Sequence, residues 1–181
     1  MEDGRVRPLD TIRRAQGGDH DAFEELVTRH GPWLHRLATA IVGPGDSADA
    51  TQEALLRAWR DLPGLRRPEN FEAWLRRILV NHCRDIGRAR GRRLTEIHVD
   101  ALAELGEPEA DLRPGVERTT DLATALSLLS IAQRTVLALH YAEDLSLREV
   151  AAMLGIPTGT AKSRLNAALV ELRRRIGEVE R

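Results

Sequence analysis

Cysteine is nearly absent from this chain: Cys83 stands alone, so no disulfide can form within it. Aromatic residues make up 3% of the sequence, and Ala, Leu and Arg dominate instead. That balance favours helices packed through aliphatic side chains over strands rich in Val, Tyr and Phe, and predicts an all-α fold. Lysine occurs once, at Lys162, among 27 basic residues, a bias better explained by GC-rich coding than by function. No run approaches the roughly twenty apolar residues of a membrane-spanning helix, and the opening MEDGRVRPLD lacks the apolar core of a signal peptide. No membrane insertion and a cytoplasmic location are therefore expected. His82 and Cys83 are adjacent, a poor chelating spacing, and the other histidines form no ligand pattern, so no metal and no cofactor are expected. Clustered carboxylates, a phosphate-cradling glycine loop and a nucleophile motif are also missing, which argues against an enzyme and leaves no catalytic residues to name.

What is there suffices for two small domains: 181 residues, 42% of them hydrophobic. The net charge of −1 supplies no global attraction for nucleic acid, so any such binding must come from local clusters of charge. Phe23, Leu26, Val27, Leu34, Leu37, Ala38 and Ile41 recur at helical spacing, and Gly31-Pro32 predicts a kink or break between two helices. The turn GPGD, Gly43 to Asp46, ends that pair. A third helix, SADATQEALLRAWRDL, is expected to start from a cap at Asp46 or Ser47 and to bury Ala54, Leu55, Ala58, Trp59 and Leu62. Asn70 is placed to cap a fourth, FEAWLRRILVNHCRDIGRARGR, whose Phe71, Trp74, Leu75, Ile78, Leu79, Cys83 and Ile86 share a broad face and whose end is rich in arginine. From about His98 to Glu117 the periodicity fails and acidic residues far outnumber Arg113. The sequence thus predicts two small helical domains, 7–93 and 118–178, joined by an acidic flexible linker, 94–117.

The second domain ends in EVAAMLGIPTGTAKSRLNAAL, Glu149 to Leu169, where Gly155, Pro157 and Gly159 interrupt a helical pattern. Glycine supplies unusual backbone angles and proline removes a donor, so the stretch reads as two short helices meeting at an angle, a helix-turn-helix. Val150, Ala151 and Leu154 face inward from the first helix, and Ile156 fills the space beneath the turn. Thr158 or Thr160 is placed to cap the second helix, on which Ala161, Leu165, Ala168 and Leu172 form the buried stripe. Thr160, Lys162, Ser163, Arg164, Asn166 and Ala167 are left outside. Lys and Arg suit guanine edges and phosphates, Asn suits adenine, and Ser or Thr bonds to either, so this helix is chemically fit for a major groove.

Taken in order, DATQEALLRAW, NFEAWLRRILVN and LSLREVAAMLGIPTGTAKSRL resemble the extracytoplasmic-function sigma factors of bacterial RNA polymerase, over about Asp19 to Ile176. The resemblance implies a factor that directs promoter recognition, DNA opening and transcription initiation. It further implies that Asp49, Gln52, Glu53 and Arg57, with Trp59 as an apolar anchor, dock on the β′ clamp helices of the polymerase core. Asn70, Phe71, Asn81, Arg84 and Arg88 would serve the −10 element, and Thr158, Thr160, Lys162, Ser163, Arg164 and Asn166 the −35 element. Promoter DNA, core polymerase and an anti-sigma factor are the partners it implies. The acidic linker would run toward the path of nascent RNA, with Asp100, Glu104, Glu107, Glu109 and Asp111 imitating its charge, or serve as a plain tether.

Several positions depart from the family pattern. Ala48 and Ala50 stand where relatives have an acidic and a large apolar residue, and Arg76 where an aromatic is frequent. Ala167 and Leu169 stand where the recognition helix tends to carry further arginines. The alternative reading of the chain is a stand-alone helix-turn-helix regulator that binds a symmetric operator as a dimer. The separate arginine-rich helix and the lack of a dimerising heptad disfavour it.

Overall fold

The computed structural model describes residues 8–100 and 119–179, all helix and connecting turns. Among them are eight α-helices: α1 (Pro8–Gln16), α2 (His20–Val42), α3 (Pro44–Asp61), α4 (Phe71–Asp100), α5 (Thr119–Ser127), α6 (Ile131–Tyr141), α7 (Leu147–Leu154) and α8 (Thr158–Val179). Two short 3-10 turns, Leu62–Gly64 and Pro68–Asn70, join α3 to α4. The contacts divide the chain into two units between Cys83 and Arg84, inside α4.

The N-terminal unit begins with a helix that the sequence reading passed over. Thr11, Ile12 and Ala15 are buried, and α1 lies along α2. It stops at Gly17-Gly18, where Gly18 takes a φ of 91°. Asp19 then caps α2, its Oδ1 accepting the Ala22 N–H at 3.0 Å, while the Arg14 guanidinium bonds Oδ2 at 2.9 Å. Both contacts hold the Asp19 carboxyl below its ordinary range, the backbone bond contributing most.

Of the kink or break expected at Gly31-Pro32, the break does not occur: α2 is one helix with Pro32 inside it. A proline in this position leaves the carbonyl four residues back, that of Thr28, without its helical donor. Thr28 and Pro32 both lie on the exposed face, where water can meet that carbonyl. Leu26, Leu34, Leu37, Ala38 and Ile41, on the other face, fasten the helix on both sides of the proline.

The start of α3 also differs from expectation. Neither Asp46 nor Ser47 caps it; Gly43, with φ 88°, donates its N–H to Thr39 to close α2, and Pro44 opens α3 directly. The buried face of α3 carries small groups, Ser47, Ala50, Thr51, Ala54 and Ala58, against the large aliphatics of α2. Ser47 and Thr51 satisfy their hydroxyls on the carbonyls of Pro44 and Ser47 within the helix, so this polar burial leaves no orphan. Gln16 of α1 ties down the following turn by donating to the Leu62 and Leu65 carbonyls. Phe71, Leu75, Leu79, Val80 and Cys83 of α4 complete the core. Helix α4 then continues to Asp100, beyond the expected start of the linker at 94; the rest of that linker, 101–117, lies outside the described residues.

In the C-terminal unit α6 and α7 each begin with a capping box. Ser130 and Gln133 exchange side-chain and backbone bonds at one, Ser146 and Glu149 at the other. Ala125 and Leu129 pack on Ala168 and Leu172, so α5 and α6 support the long α8 from the side away from its polar face. The turn between α6 and α7 is tied by His140, whose Nδ1 donates to the Leu145 carbonyl at 2.7 Å, and by the Leu145 N–H bonded to Leu139.

Candidate nucleic-acid and polymerase interfaces

The turn between α7 and α8 answers the interruption in the sequence. Gly155 ends α7 at φ 62°, in the left-handed region, and the Ile156 N–H reaches back to the Ala151 carbonyl at 3.0 Å. The Pro157 carbonyl then accepts the N–H groups of Thr160 and Ala161, which puts Pro157, not Thr158 or Thr160, in the capping position of α8. Thr158 is already in the first turn. Val150, Ala151 and Leu154 of α7, and Ala161, Leu165, Ala168 and Leu172 of α8, are buried as their spacing predicts.

This leaves a polar outer face on α8. Thr158, Lys162, Ser163, Asn166 and Ala167 are exposed, and Thr160 and Arg164 are half-buried. Lys162 and Arg164 are about 200° apart around the helix, so they flank Ser163 from opposite sides. Ser163 Oγ donates to the Thr160 carbonyl at 3.0 Å. The arrangement is a helix-turn-helix with donors and acceptors aimed outward, the geometry of a DNA-reading element.

On α3 the residues assigned to core binding form two groups. Asp49 and Gln52 are exposed. Glu53 and Arg57 are half-buried and bonded at 2.7 Å, and the Arg57 bond holds the Glu53 carboxyl below its ordinary range. Trp59 is neither a core residue nor a free anchor: it lies against His20 at 4.6 Å and Phe23 at 4.9 Å between ring centroids. With Phe23, Val27, Leu55 and Leu56 it lines an open apolar groove of about 710 Å³ between α2 and α3. Leu56, 57% exposed on the groove's edge, was not singled out by the sequence. Its signal is there, since it is the one leucine of α3 outside the apolar stripe. Ala50 is fully buried, so the small residue at that position serves the α2–α3 packing.

Along α4 the structure separates what the sequence had grouped. Phe71 is 3% exposed and packs on His30 and Trp74, so it is a core residue and cannot offer its ring to a base. Trp74, expected in the core, is only half-buried. Trp74, Arg77, Asn81, Arg84 and Arg88 recur at alternating spacings of three and four and so share one face. Asn70, Arg77, Asn81 and Arg88 are exposed there and Arg84 is half-buried, burial lowering its affinity for a proton. Arg88 is paired with Asp85 on the same helix, a contact that a phosphate would have to displace. On the opposite edge Arg76 lies over the Trp33 ring of α2 at 5.5 Å. His30 is pressed between Trp33, Phe71 and Glu72, and burial disfavours its protonation. Burial pushes the Cys83 thiol to about 12, which leaves it unreactive. Among the described residues no group of three His, Cys, Asp or Glu side chains could hold a metal, and no helix is long and apolar enough to cross a membrane.

A helical unit with an arginine-bearing surface helix, followed by a helix-turn-helix unit, describes a DNA-binding transcription factor. Residues 26–93 match the model of Sigma-70 region 2, and residues 119–172 that of Sigma-70 region 4. The chain is 37% identical to the ECF RNA polymerase sigma factor SigM of Mycobacterium tuberculosis over 88% of its length and 80% of the relative's. It is 33% identical to the ECF RNA polymerase sigma-E factor of Escherichia coli over 85% and 86% of the two chains. Two solved structures are similar in fold: CnrH in complex with the cytosolic domain of CnrY (TM-score 0.61, 27% identity, covering 94% of this chain and 97% of that one), and the sigma factor RpoE with the anti-sigma factor NepR from Bartonella quintana (0.62, 28%, 88% and 98%). The chain belongs to the extracytoplasmic-function sigma factors of RNA polymerase. It directs the polymerase in promoter recognition and transcription initiation, without enzymatic activity of its own. The stand-alone regulator is thereby set aside.

Proposed function

We propose that the two units divide the work of a sigma factor between three surfaces. The exposed Asp49 and Gln52, with the paired Glu53 and Arg57, meet the β′ clamp helices of core polymerase, and the apolar groove beside them supplies buried contact area. Asn70, Asn81, Arg84 and Arg88 serve the −10 element, where arginines follow phosphates and side-chain amides suit base edges. Phe71 supports that surface from beneath. Thr158, Thr160, Lys162, Ser163, Arg164 and Asn166 serve the −35 element. The domain limits 7–93 and 118–178 belong to this reading, as do a cytoplasmic site of action and control by an anti-sigma factor of the kind seen with the relatives.

The observation that carries the proposal is the outward face of α8: its cations lie on both sides of Ser163 while its whole aliphatic stripe is buried. The core surface is tested by replacing Gln52 and Glu53 together with Lys. Exposed and half-exposed substitutions cost little stability, so the variant should fold, and like-charge contact should abolish core binding measured by co-sedimentation or fluorescence anisotropy. A folded double variant with unchanged core affinity would remove these residues from the interface.

A further inference from the structure

Beyond the polar residues of α8, its exposed face carries an apolar ridge. Ser163, Ala167 and Val170, spaced four and three apart, run down the side of the helix opposite Ala161, Leu165, Ala168 and Leu172. Ala167 is exposed and Val170 is 61% exposed, the most exposed of the large hydrophobic side chains among the described residues. While Ser163 Oγ donates to the Thr160 carbonyl, its lone pairs are what it offers along this line. From Ser163 to Val170 the ridge therefore presents an acceptor and then methyl groups, while the donors Lys162, Asn166 and Arg164 stand to its sides.

We propose that Ala167 is a specificity-determining residue, reading the C5-methyl of a thymine in the −35 element, with Val170 extending the same apolar contact. The inference rests on the assignment of α8 as the −35 reader. In the major groove both pairs show an amino donor, on adenine N6 or cytosine N4, but only A·T adds a methyl, on thymine, and only G·C shows two acceptors on one purine, guanine. A methyl at Ala167 therefore suits A·T, and the acceptor at Ser163 can meet the amino group beside it. An arginine at 167 would instead match the two guanine acceptors. The ridge is too small for a protein partner, which needs about 800 Å² on each side, and Lys162, Arg164 and Arg173 fringe it with positive charge suited to a phosphate-lined groove. A thymine methyl needs only one aliphatic neighbour.

The test uses holoenzyme assembled from the full chain and core polymerase, on promoters recovered by mapping its start sites, with each −35 thymine replaced in turn by deoxyuracil. This removes one methyl and leaves the pairing intact. At one position the wild-type protein should lose about fourfold in affinity, the worth of one buried methyl. In Ala167→Gly the two DNAs should bind alike, and Ala167→Arg, which keeps helix propensity, should move the preference at that position toward guanine. Equal binding of thymine and deoxyuracil DNA at every −35 position, with Arg164→Ala still weakening the promoter, would overturn the methyl contact and leave the −35 assignment standing. If Arg164→Ala and Lys162→Ala also have no effect in folded protein, the assignment of α8 itself is wrong.

Discussion

Phe71 and Asn81 lie on one helix, and the proposed function gives the first a part in stability and the second a part in recognition. Phe71 opens α4 with its ring 5.3 Å from that of His30, on the buried side, whereas Asn81 points to solvent. Phe71→Ala should therefore cost about 3–5 kcal/mol of stability in a denaturant titration, with Phe71→Leu recovering most of it. Asn81→Ala should leave the titration unchanged and weaken only the binding of −10 DNA; a stable Phe71→Ala protein deficient in DNA binding would contradict the burial. Ionisable residues on the surface make a smaller contribution. Hydrogen bonds from Arg174 and then Arg175 lower the Glu171 carboxyl from its ordinary 4.5 to about 2. A depressed carboxyl stabilises the fold fully above the unfolded-state value, and the contribution is lost as the pH falls from about 4.5 toward 2. Glu171→Gln removes it, so melting temperatures of variant and wild type should differ modestly at pH 7 and converge near pH 2. The effect is small because the group is exposed to solvent. A gap that persists unchanged at pH 2 would assign it to packing.

At the scale of elements, the turn between α7 and α8 holds the recognition helix in place. Nothing lies within 4 Å of the position a Cβ would take at Gly155, so a side chain meets no neighbour, yet φ 62° strains any L-residue. Gly155→Ala should cost about 1–2 kcal/mol through backbone strain alone. Gly155→Asn, which tolerates that region, should cost less, and equal losses for the two would point to a steric cause. The helix-turn-helix was legible in the sequence because its signals are local: a glycine in the left-handed region, a proline, and a buried stripe at helical spacing on each side. Elements whose limits depend on distant partners were not. Helix α1 has a short apolar stripe that means little until α2 covers it. Pro32 reads as a breaker in isolation, but the exposed side of α2 tolerates it while buried leucines on both sides hold the helix together. On α4 the apolar arc is broad, and only His30, brought by α2, decides that Phe71 is enclosed and Trp74 left half open.

At the scale of the whole molecule, the chain is near neutral, and the surfaces proposed for polymerase and DNA rest on local charge on α3, on one face of α4 and on α8. A factor built this way has little general attraction for DNA and depends on the polymerase to bring its surfaces to a promoter. The family was legible in the sequence alone, because three separated motifs in order carry it. Which side faces out had to come from packing on α4, where Trp74 is left half-buried, whereas the buried stripes of α7 and α8 were legible from their spacing. The most direct measurement is transcription in vitro on genomic fragments by purified core polymerase with wild-type protein, with the Gln52 and Glu53 double Lys variant, and with Arg164→Ala, mapping the start sites. The account predicts discrete starts that require both wild-type protein and core, loss of all of them with the double variant, and weaker use of the same starts with Arg164→Ala. Specific DNA binding by the free protein as a dimer, with no start sites in the mixture, would contradict it.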